Sequence, residues 1–269
     1  MFITISILLL VPAYTWPSSE FSHAPFDSVL SNYVDEKGLV NYQGLQEHRE
    51  TLDDYIVQLS AVSPHSNAEH FPTANHQLAY WINAYNALVL RGIIDAYPVE
   101  SVMDIRLFNG FFNRTEWTVG GHKMTLDHIE NAIIRPGFGD VRIHFVLNCG
   151  ARSCPPLERS SFNGDSLDAR LDAAAQRFVS NPQLFELRED GLYLSKILDW
   201  YRRDFSDYFP TDRIHFAQRD PLISYFSPLI PASSRKQLSQ PNIPIRFMDY
   251  DWSLNDWPRS GGSRTDPSR

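Results

Sequence analysis

"ANHQLAYWINAYNALVLRGIIDAYP", residues 74–98, carries the strongest helical pattern in the chain. Leu78, Trp81, Ile82, Tyr85, Leu88, Val89 and Ile93 recur at the three-and-four spacing of one broad stripe. Asn75 offers an N-cap, and Pro98 stands just beyond the end. Apolar residues cover much of the circumference, so the helix is expected at the centre of the fold. Asn83 and Asn86 fall inside it. Buried amides need hydrogen-bond partners, so the pair is expected to pin a neighbouring loop or to serve a site.

Further helices are expected at Phe26 to Tyr33, Thr51 to Val62, Thr125 to a stop at Pro136-Gly137, and Ser166 to Val179. "SKILDWYRRDF" and "DPLISYFSPLI" read as short ones. Strand signals are scattered: Leu39 to Tyr42, a hairpin turning at Gly120-Gly121, a weak pair around Asp190-Gly191, and Ile245 to Met248. "VRIHFVLNC", 141–149, is apolar and rich in β-branched residues, which predicts a strand buried on both faces. No repeat or long linker interrupts the pattern. The expectation is a helix-rich α+β single domain with a small central sheet, spanning residues 20–257.

With 269 residues, 43% of them hydrophobic, the chain is long enough for a sizeable core. Its formal net charge is −8, and no basic stripe tracks phosphates, so nucleic acid is not an expected partner. Phe2 to Val11 is an apolar run too short to span a bilayer as a helix, which takes about 20 residues. Residues 1–15 read as a secretory signal segment, although no Lys or Arg precedes the run. A periplasmic or secreted location follows, with no integral membrane segment in the mature chain. Residues 258–269, made mostly of Ser, Gly, Arg, Pro and Asp, are expected to be a disordered tail.

"YWINAYNALVL", "TLDHIENAIIRP", "RIHFVLNCGARSCPPL" and "ILDWYRRDF", in that order, resemble the bacterial and plant family called domain of unknown function 547. The resemblance covers roughly Phe26 to Phe209. It implies no settled activity, substrate or cofactor, but it marks which segments matter.

Both cysteines lie in "HFVLNCGARSCPPL", 144–157. On a strand, Arg142, His144, Val146 and Asn148 would face one side and Cys149 the other. Gly150 permits a sharp turn. Cys154, ahead of Pro155-Pro156, is placed to cap a short helical turn, whose dipoles would favour its thiolate.

Four readings follow. A Cys149–Cys154 disulfide would make His144 an ordinary core histidine. Alternatively Cys154 is a nucleophile, His144 its base, and Asn148 or Asn83 orients the imidazole. Backbone N–H groups after Gly150 would then hold an oxyanion. A redox pair and a zinc site are weaker, because CxxxxC is longer than CxxC and the histidines lack ligand spacing. Cys149, Gly150, Arg152, Ser153, Asn86, Glu130 and Arg142 are the expected substrate-binding residues. Glu130, Arg135 and Arg142 also suit an ion pair joining helix to strand, with an arginine gripping a substrate carboxylate as its functional counterpart. The function expected is a cysteine-dependent hydrolase or acyltransferase acting on an amide, thioester or peptide bond. Its rival is a non-enzymatic binding module for a small molecule or peptide, with a structural disulfide. Neither metal nor cofactor is expected.

Overall fold

A computed structural model describes residues 20–106, 108–208, 220–240 and 242–258. The signal segment expected at 1–15 and the tail beyond Pro258 lie outside the described residues. The central helix spans Ala74–Ala96, and every residue from Leu78 to Leu90 is buried. Its N-cap is Thr73, two residues earlier than Asn75: the Thr73 hydroxyl accepts the His76 N–H at 3.3 Å. Asn75, already inside the first turn, donates instead to Asp168 at 2.9 Å. Helices Tyr42–Glu47, Glu50–Ala61 and Leu167–Ser180 pack on this rod, and Ala24–Tyr33 packs on Glu50–Ala61. Phe145, Phe178, Phe205 and Phe226 form an aromatic nucleus with ring centroids 4.7 Å apart at the closest pair. Rings of this size bury the largest areas in a core.

The molecule is a helix-rich α+β domain whose strands form two small sheets. β1 (Trp117–Val119) and β2 (His122–Met124) make the expected hairpin, with Val119 opposite His122. β3 (Phe185–Arg188) pairs antiparallel with β4 (Gly191–Leu194), which pairs parallel with β5 (Ile245–Phe247). The Leu39 to Tyr42 strand reduces to isolated bridges at Val40, because Asn41 caps a helix beginning at Tyr42 by accepting the Gly44 N–H at 2.9 Å.

The segment 141–149 is not a strand. Val141–Phe145 winds as a 3₁₀ helix, capped by Asp140, whose carboxylate accepts the Arg142 N–H at 2.9 Å. An apolar run buried all round suits a helical turn as well as a strand, so periodicity alone does not separate them. The helix opened by Thr125 also differs from expectation. It widens to a π-helix over Ile129–Ile134, then resumes over Arg135–Phe138 and ends at Gly139. Pro136 does not stop it, since it sits in the first turn of the resumed segment, where its missing N–H is not needed. "SKILDWYRRDF" breaks into Ile197–Trp200 and Arg202–Tyr208. Among the described residues no helix is long and apolar enough to cross a membrane.

His23 gives this fold a pH dependence. Its Nδ1 lies 2.7 Å from the Tyr55 hydroxyl, and burial, aided by His76, lowers its pKa to about 4. The unfolded chain therefore takes up this proton first as pH falls. Stability from this group is full above pH ~6.5 and lost progressively toward pH ~4, by about 2 kcal/mol for a ring that keeps a partly exposed edge. In urea titrations at pH 7 and pH 4.5, His23→Gln is expected to lose less stability than the natural chain; equal losses would remove His23 as the cause.

Candidate functional site

The site is built on three asparagines that take the place of strand partners. The Asn86 amide donates to the Val146 carbonyl at 3.0 Å and accepts the Asn148 N–H at 2.9 Å. Asn83, one helical turn earlier, clamps Phe162 the same way, at 2.7 and 2.9 Å. Asn148 then accepts the Gly150 N–H and donates to the Pro155 carbonyl, both at 2.8 Å. All three are buried. They close a loop that Gly150 turns with φ +84°; a Cβ there would lie 2.5 Å from Ile93 Cδ1. None of the three bonds His144, so the expected role of Asn148 or Asn83 as its orienting group is not the one they fill.

Within the loop Cys149 and Cys154 are joined as a disulfide, with Cα atoms 6.4 Å apart. No helical turn begins at Pro155-Pro156, so Cys154 is not an N-cap. Its Sγ accepts the Cys149 N–H at 3.0 Å, and the Tyr250 hydroxyl lies 3.2 and 3.3 Å from the two sulfurs. Because 141–145 is helical, the expected alternation of faces fails: Cys149 lines the same cavity as His144 and Cys154.

His144 is buried and held by Asp204, a residue that sequence reasoning missed. Its Nε2 lies 2.8 Å from Asp204 Oδ2. A carboxylate only accepts, so Nε2 carries the proton and Nδ1 remains as the basic nitrogen when the ring is neutral. Arg135 grips the same carboxylate with two bonds of 2.7 and 2.6 Å. Burial works against the Asp204 charge, but the bonds from His144 and Arg135 outweigh it and hold the carboxyl well below the usual range. Tyr201 stacks on the imidazole at 4.1 Å and donates to Glu130. The Arg135 guanidinium covers the Tyr201 ring at 4.9 Å.

These groups border a cavity of about 410 Å³. Glu130, His144, Leu147 and the disulfide meet Tyr85, Phe112, Trp200, Tyr201, Tyr250 and Trp252 there. Trp200, Tyr250 and Trp252 cluster with ring centroids 4.5 to 5.7 Å apart. Burial, and then the Glu130 charge, push the Tyr85 and Tyr250 phenols upward, so both stay protonated near neutrality.

Other expected site residues lie elsewhere. Arg142 does not border the cavity; it is bound by Asp140, Asp168 and Asp172 at 2.6 to 2.8 Å. The expected Glu130 link to a basic residue is replaced by its bond to Tyr201, while Arg135 turns to Asp204. Arg152 and Ser153 border a separate groove, and Ser153 ties the loop to Asp251. Among the described residues no three His, Cys, Asp or Glu side chains are grouped to hold a metal ion. The missed residues had a faint signal. In "DWYRRDF" the spacing of Asp199, Arg202 and Arg203 reads as a solvated ion-pairing face, with Trp200 and Tyr201 sealing part of the core; in the fold Tyr201 and Asp204 turn to His144, and Trp200 borders the cavity.

A helix-rich α+β domain with an aromatic cavity and a disulfide in its wall is the class that fold and site define. Residues 70–179 match the family described as "Protein of unknown function, DUF547", and this segment belongs to that family. Comparisons with curated proteins and with solved structures return no match.

Proposed function

We propose that this protein is a binding module that takes a small molecule or the side chain of a peptide into the cavity beside Cys149–Cys154. The observation that carries this reading is the cavity itself: about 410 Å³, walled by aromatic rings with a few polar groups among them. That size and composition are those of small-molecule sites in general. The disulfide, tied by Tyr250 and the Cys149 N–H, fixes one wall. Export through the apolar leader belongs to the same reading, since an oxidising compartment keeps such a pair closed.

A second reading rests on the Asp204–His144 pair. Once the disulfide is reduced, the Cys149 N–H and the Tyr250 hydroxyl favour a thiolate at Cys154. His144 Nδ1, oriented through Asp204, is the base for a cysteine-dependent hydrolase or acyltransferase.

A thiol count separates the two. Native protein is expected to take up no iodoacetamide, and to take up two equivalents only after reduction and unfolding. Binding of a chemically mixed fragment set, followed by tryptophan fluorescence, should persist in the Cys149→Ser/Cys154→Ser double variant. Rapid alkylation of Cys154 in native protein, with thioester cleavage lost in Cys154→Ser, would replace the binding module by the enzyme.

A further inference from the structure

We infer that the cavity selects a small organic cation, an alkylammonium group, a conclusion that rests on its being a ligand site. Its wall holds the Trp200, Tyr250 and Trp252 rings packed against one another. Ring faces attract cations through their quadrupole, tryptophan most strongly. The acidic groups in the wall are Asp127, which is exposed, and Glu130, which is buried. Among the described residues no Lys or Arg borders the cavity.

Glu130 is the central point. It is only 9% exposed, and Tyr201 donates a hydrogen bond to it. A neutral phenol supports a carboxylate but does not cancel its charge. The guanidinium whose charge reaches it, Arg135, is already bound to Asp204 by two hydrogen bonds. Besides the tyrosines, the other titratable wall group is His144, which faces Asp204 through Nε2. A buried carboxylate among apolar rings favours a ligand that brings positive charge and little need for hydration. An alkylammonium does both. An anion would meet Glu130 and Asp127 in a wall that, among the described residues, has no Lys or Arg to bind it.

The test uses native, disulfide-bonded protein and three probes of one shape: choline, the neutral 3,3-dimethylbutanol, and the anionic 3,3-dimethylbutyrate. Binding is followed by calorimetry and tryptophan fluorescence. Choline is expected to bind at least about tenfold tighter than the alcohol, and the carboxylate weakest. Glu130→Gln is expected to lower choline affinity about tenfold and leave the alcohol unchanged. Asp127→Asn, an exposed change that spares the core, should weaken choline by a smaller factor in the same direction. Equal affinity for choline and the alcohol, or binding of the alcohol or carboxylate without choline, would overturn the charge selection while the ligand site stands. Failure of all three probes and of the mixed fragment set would remove the ligand site itself.

Discussion

Asn86→Ala is expected to lower the unfolding free energy by about 3–4 kcal/mol. The loss is not that of one side chain. The Asn86 amide pairs with two backbone groups, the Val146 carbonyl and the Asn148 N–H, and all three residues are buried. With alanine in place both groups lose their partner where water does not reach them easily. Each orphaned group costs about 1–3 kcal/mol. Urea unfolding followed by circular dichroism measures the change. Asn83→Ala is expected to cost a similar amount through Phe162. A loss under about 1 kcal/mol for Asn86→Ala would mean that the loop finds other partners and that the amide clamp does not hold it.

Gly150→Val is expected to be as damaging, about 4 kcal/mol or loss of folded protein. Two effects combine. The backbone there has φ +84°, where a β-branched residue is strained by about 1–2 kcal/mol or more. The new Cβ also meets Ile93 Cδ1 at 2.5 Å and Val102 Cγ1 at 2.9 Å, and overpacking of this kind costs about 1–3 kcal/mol. Gly150→Ala keeps the test alive if the valine form does not fold. Adding Ile93→Val removes the methyl group that Cβ strikes, so the double variant should recover part of the alanine loss. The φ strain should remain. No recovery at all would assign the whole effect to the backbone.

The fold was legible where a pattern had one interpretation. The central helix, the Gly120-Gly121 hairpin and the helix over Leu167–Ser180 lie within a residue or two of their expected places. The segment 141–149 was not legible, because an apolar run buried on every side has no periodicity to distinguish strand from helical turn. That one difference also moved the site. Cys149 joined His144 at a shared cavity, and a loop closed by amides replaced a strand end. His144, Cys149, Cys154 and Glu130 could be picked from composition and spacing, since chemically distinctive groups in a buried stretch are few. Asp204, Tyr201, Tyr250 and Trp252 could not. Asp204 lies 60 residues from His144 in sequence, and Tyr250 lies 101 from Cys149. Contacts over such distances leave no local spacing to read.

Residues 253–257 pair with three distant stretches at once: Val40 beside Asp256, Ser101 beside Ser253, and Ala151 beside Leu254. Tyr250 and Trp252 arrive just ahead of this seam. While the chain is being synthesised, the central helix and both cysteines leave the ribosome long before these residues do. Completion of the cavity therefore waits on a tyrosine that follows Cys149 by 101 residues, and a chain cut before residue 250 would leave the sulfur pair without its tyrosine cover.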